Sequence, residues 1–143
     1  MTYATQQDLI DRFGETELQQ LTDRENIPPS TIDAVVVDRA LDDADGLINS
    51  YLGKLYRIPL SVVPPVLVKR ASDIARYHLH GEAAPKDGDV YRNYRDALDW
   101  LKDVAKGLVT IDAEGITPAA SGGGSVQASA PGRVFTRDSM RGY

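Results

Sequence analysis

STIDAVVVDRALDDADGLINSYLGKL, Ser30 to Leu55, is the stretch on which the fold turns. Its three adjacent valines, Val35–Val37, have the β-branched character of a strand. The residues around them repeat differently. Ile32, Val35, Val36, Ala40, Leu47, Ile48, Tyr51 and Leu55 recur at the 3.6-residue spacing of one helical face. A periodic run this long outweighs three local preferences, so the spacing predicts a helix over residues 31–52. Ser30 reads as its cap, Asp33 as a carboxylate in its first turn and Gly53 as its stop.

The flanking sequence reads the same way. Thr5 and Asp8 imitate a capping box ahead of Leu9, Ile10 and Phe13, with Gly14 free to end that short helix. A second short helix over Glu15–Thr22 carries Leu18 and Leu21 at i, i+3, and Pro28-Pro29 then breaks the chain. Downstream, Ile58-Pro59 and Pro64-Pro65 bound a connector that cannot be helical inside. Pro65 suits the first position of the next helix. There Leu67, Ala71, Ile74, Ala75 and either His78 or Leu79 share a face until Gly81. A loop over 82–88 leads to a helix from Asp89 to Lys106. Val90, Tyr94, Ala97, Leu98, Leu101 and Ala105 line its apolar side, and Gly107 stops it. Leu108, Val109 and Ile111 read as a short extended segment. The expected fold is all-α: a small bundle of four to five helices over residues 1–118. Residues 119–143 follow as a flexible Gly-rich linker and a long extended C-terminal arm.

Composition sets outer limits. The 143 residues are 42% hydrophobic and 26% charged, as in one soluble domain. The absence of cysteine excludes a disulfide framework and a thiolate metal site. No run approaches the roughly 18 apolar residues of a membrane span, and MTYATQQDLIDRF lacks the basic region and apolar stretch of a signal peptide, so none is expected. A soluble product made in the cytoplasm is expected. The net charge of −5 is uneven: residues 121–143 hold three Arg and one Asp, whereas residues 1–120 hold 13 Lys and Arg against 20 Asp and Glu. An acidic body disfavours wrapping by nucleic acid, which needs basic surface to release counterions. A basic tip on that body suits pairing with acidic surface on another copy of the chain.

Catalytic patterns are not found. His78 and His80 lie i, i+2 and point to different sides of a helix. No serine sits in a G-x-S-x-G setting, and Gly122–Gly124 lack the Lys-Ser/Thr of a phosphate loop. Asp42-Asp43-Ala44-Asp45-Gly46 resembles a calcium loop only in part, for Leu41 stands at the first ligand position and no acid closes it. Asp38, Asp42 and Asp45 instead share one helical side opposite the apolar stripe. That side reads as a solvated face, or as an acidic surface toward a passage from which DNA should not be retained. Trp100 sits one position off the stripe of the last helix, where it widens the core or anchors a subunit contact.

The C-terminal arm asks for a partner. Gly-rich sequence delivers Arg133, Val134, Phe135, Arg137, Met140, Arg141 and Tyr143 at the end of a 23-residue segment. Extended, that segment reaches about 75 Å at roughly 3.3 Å per residue. Phe135, Met140 and Tyr143 supply apolar area for docking, the arginines supply charge, and Val134–Thr136 suits strand addition to a partner's sheet edge.

In order and spacing the chain resembles the head–tail adaptor (head-completion, neck or connector) proteins of Mu-like phages, long classed as a domain of unknown function. The likeness is carried by MTYATQQDLIDRFGETELQQLTD, AVVVDRALDDADGLINSYLGKLYRIPL, VPPVLVKRASDIARYHLH and VYRNYRDALDWLKDVAKGLVTI. Within these, Ala40, Asp45 and Ile48-Asn49-Ser50-Tyr51-Leu52 fit the family pattern, and Phe135-Thr136-Arg137-Asp138-Ser139-Met140 resembles its aromatic-Arg…Met ending. The resemblance covers nearly the whole chain. It implies a non-enzymatic virion subunit without cofactor or metal, located at the head–tail junction. Identical subunits form a ring, commonly a dodecamer, below the portal protein and above the next neck or tail-completion protein. DNA passes through the lumen without specific binding. Contacts of the arm are not transferable, because its length and glycine content vary in such proteins. The other reading of the residues is a DNA-binding or packaging accessory protein that uses its basic tail.

Overall fold

The computed structural model describes residues 2–111. It contains α1 (Gln6–Phe13), α2 (Glu15–Thr22), α3 (Ala34–Leu52), α4 (Pro65–His80) and α5 (Asp89–Ala105), with a 3-10 turn at Gly81–Ala83. The expectation of an all-α bundle holds, and no strand occurs among the described residues. The expected linker and arm lie outside them.

The helix boundaries follow local chemistry. Thr5 and Asp8 form a reciprocal capping box at α1. Gly14, at φ +92°, ends α1 and begins α2 in one residue, a conformation that glycine adopts freely. Pro65 opens α4, where its missing N–H costs nothing. At the end of α5, the Gly107 N–H reaches the Val104 carbonyl and the Leu108 N–H reaches the Asp103 carbonyl. With Gly107 at φ +78°, this is a Schellman cap. It also corrects the extended segment expected at 108–111, since Leu108 is spent closing the helix and stays exposed. Ile111 is buried, and its N–H donates to the Tyr56 hydroxyl at 2.9 Å.

The start of α3 also differs from expectation. Its cap is Asp33, whose carboxylate accepts the Val35 N–H at 3.0 Å, and not Ser30. Ser30 instead belongs to the loop ahead of the helix. The stop is Gly53 as expected, but at φ −59°, so the reason is room and not handedness. A Cβ there would stand 3.1 Å from the Asn49 carbonyl oxygen.

α3, α4 and α5 pack on one another, with α1 against both α4 and α3 and α2 against α4. Val36 and Ala40 near the start of α3 share a recess with His78 and Leu79 at the end of α4, so these two helices run antiparallel. Gly107, after α5, lies beside Leu55, after α3, so those ends coincide. The core is aliphatic: Leu9, Leu18, Val37, Ile48, Leu52, Leu67, Ile74, Leu101 and Val104 are fully buried. Val37, with Leu41 and Ala44, takes the inward place expected of Val35 and Val36; Val35 is 66% exposed. In α4 the face closes on Leu79, half-buried against the core, while His78 is exposed. In α5 the buried line is Ala97, Leu101 and Val104, which leaves Leu98 only half-buried. Trp100 packs partly against the core, with the Arg70 guanidinium 5.6 Å from its ring centre.

Candidate interaction surface

The acidic side expected on α3 is divided by the fold. Asp38 and Asp42 are exposed, but Asp45 is buried. It faces the segment ahead of α1, where its Oδ1 accepts the Tyr3 N–H at 2.9 Å. The Tyr3 hydroxyl donates to Asn49 on the same side of α3. Burial pushes the Asp45 carboxyl above its ordinary range and the nearby Asp42 carboxylate adds to this, against the Tyr3 hydrogen bond. Asp45 therefore fastens the N-terminal segment to α3 and is not part of a solvated face. The seven arm residues, Arg133 to Tyr143, lie outside the described residues.

A second aspartate, which sequence reasoning passed over, builds the loop between α2 and α3. Asp23 Oδ1 accepts the N–H groups of Glu25 and Asn26, both at 3.0 Å. Its Oδ2 accepts from Asn26 Nδ2, the Ser30 and Thr31 N–H groups and the Thr31 hydroxyl at 2.9–3.1 Å. The donors hold its pKa far below the usual carboxylate range, with the Ser30 N–H the largest cause and Asn26 next. Thr22 completes the joint: its hydroxyl accepts the Asp33 N–H and donates to the Leu18 carbonyl. Asp23 and Asn26 at i, i+3, just before two prolines, were the available signal for such a turn. On this fastened loop Ile27 is 99% exposed. An exposed aliphatic side chain on a loop whose backbone is fastened on either side is a ready contact point, because less backbone entropy is lost on docking.

Beside that loop, a recess of about 150 Å³ has Leu21, Val36, Ala40 and Leu79 inside and Arg24, Arg39, Asp43 and His78 around it. Further along α4, Arg76 reaches Glu17 of α2 at 2.7 Å and lies 4.3 Å over the Phe13 ring. His80 Nε2 is 3.5 Å from the same Glu17 carboxylate. The two histidines thus part company as their spacing predicts. His78 borders the recess, while His80 supports the α2–α4 contact. Tyr77 and Tyr94 stack at 3.9 Å between α4 and α5, and burial with the neighbouring tyrosines raises the Tyr94 hydroxyl pKa. These groups are packing and joints. Among the described residues no group of three or more His, Cys, Asp or Glu is placed to hold a metal ion, and no helix is long and apolar enough to cross a membrane.

Comparison with known proteins places this helical bundle among proteins of Mu-like phages. Residues 3–128 match the family described as Bacteriophage Mu, Gp36, and the chain belongs to that family. It is 34% identical over 138 residues to gene product J of Escherichia phage Mu, covering 96% of each chain. It is 30% identical over 142 residues to the Mu-like prophage FluMu protein gp36 of Haemophilus influenzae, covering 99% of this chain and 97% of that one.

Proposed function

We propose that the protein is a structural head–tail connector subunit of a Mu-like phage virion, without catalytic activity. Copies of it form a ring below the portal protein, joined on the other side to the next neck or tail-completion protein, and DNA passes through the ring during ejection. The observation that carries this reading is kinship along almost the whole chain with two proteins of Mu and a Mu-like prophage. A small bundle that leaves Ile27, Val35 and Leu108 in water suits a subunit whose surface is completed by neighbours. In the assembled particle the arm from Arg133 to Tyr143 docks on a neighbouring chain, with Phe135 as anchor and the arginines at the rim.

Cryo-electron microscopy of the virion vertex tests the reading. Density for a ring of this bundle between portal and tail is the expected result. A vertex that lacks the protein, in particles that remain infectious without its gene, overturns it. A protein recovered only on unpackaged DNA favours the packaging accessory.

A further inference from the structure

Charge is distributed along the bundle in blocks. Residues 1–45 hold eleven Asp and Glu against three Arg, a net of −8; residues 46–72 hold no acid and four Lys and Arg, a net of +4. The basic block ends α3, forms the connector and begins α4, and the Tyr56–Ile111 hydrogen bond brings the segment after α5 to the same end. At that end Val62 (48%), Val66 (36%) and Leu108 (73%) are exposed, as are the cations Lys54 and Arg57. Neither cation makes an ion pair among the described residues, and neither do the exposed Asp38 and Asp42 on the outer side of α3.

We propose that the basic, apolar end of one copy (Lys54 and Arg57 around Val62, Val66 and Leu108) docks on the acidic outer side of α3, at Asp38 and Asp42, in a second copy. The inference rests on the reading of the protein as a self-assembling subunit and names the surfaces that meet. Two different patches on one chain make a heterologous contact, and such contacts close into rings when the rotation permits. Complementary charge sets the register, and the valines and Leu108 supply the area removed from water. Phosphate is the less fitting occupant, because exposed aliphatic side chains among the cations gain nothing from a nucleic-acid backbone.

Sedimentation of the full chain at low and high salt, with circular dichroism to verify folding, tests this. Lys54→Glu with Arg57→Glu should weaken self-association about tenfold or more, as should Asp38→Lys with Asp42→Lys, since each sets like charges against one another. All four changes in one chain should recover most of the loss, which an unfolded or merely perturbed chain cannot do. Leu108→Ser should weaken association without altering its salt dependence. A wild-type chain that stays monomeric at low salt overturns the inference. So does a quadruple variant that stays dissociated, or association that ignores both reversals. If the Lys54/Arg57 reversal instead removes only retention of double-stranded DNA, the basic end meets phosphate and the inference fails. Rings at the virion vertex with association indifferent to the reversals would leave the connector reading intact and sink this one alone.

Discussion

Asp23 and Asp45 sit in the same domain and answer to acid in opposite directions. The Asp23 pKa is depressed by its ring of donors, so its contribution to stability is present above the unfolded carboxyl range, near pH 4, and fades as pH falls below it. The Asp45 pKa is raised by burial, so its contribution is full at acid pH and is lost as pH rises through the folded value. Two substitutions separate them. Asp23→Asn keeps one acceptor oxygen but cannot serve the donors on Oδ2, so it should lower the melting temperature at pH 7, by an amount that shrinks toward pH 3. Asp45→Asn keeps an oxygen for the Tyr3 N–H and removes a buried charge. It should be at least as stable as wild type at pH 7, with any advantage vanishing in acid. Thermal melts across pH 3–8 check both. A pH-independent difference for either variant would mean that packing, not ionisation, is what the side chain supplies.

At the scale of the element, α5 decides how much of a core a pattern can reveal. Leu101 is fully buried and Leu98 half-buried. Leu101→Ala should cost about 2–5 kcal/mol in urea unfolding, and Leu98→Ala clearly less. Equal losses would mean that the helix is rotated from the arrangement described. Gly107→Ala, at φ +78°, should cost about 1–2 kcal/mol through left-handed strain at the Schellman cap. What was legible in the sequence was local. Thr5 with Asp8, Pro65 and Gly107 act on residues within one turn of themselves, so their roles can be read without a fold. The phase of α3 was not, because three adjacent valines allow two rotations, and only packing against α4 puts Val37 inward and Val35 in water. Asp45 was hidden for the same reason: its partner is the Tyr3 backbone, 42 residues away. Asp23 was recoverable in principle, from an Asx turn before two prolines, but its six donors converge only once Ser30 and Thr31 fold back.

At the scale of the molecule, the core found among the described residues is built within residues 2–111. Ile111 is the last residue described and is buried against Tyr56, while the glycines and the aromatic, arginine-bearing tip come afterwards. If the arm docks on a neighbouring chain as proposed, a chain ending at Ala120 should melt near the full-length protein yet fail to complete particles. Within the arm the effects should be unequal. Phe135 brings the largest rigid apolar surface, and an aromatic anchor at an interface centre commonly costs about 2 kcal/mol or more when truncated. Phe135→Ala should reproduce most of the assembly defect. Arg141→Ala changes a rim charge, which acts on encounter rate and salt sensitivity more than on final affinity. Complementation of a phage lacking the gene, scored as infectious particles alongside melting curves of the purified variants, separates folding from docking. Full infectivity from the chain ending at Ala120 would make the arm dispensable and leave the bundle's own surfaces to hold the assembly.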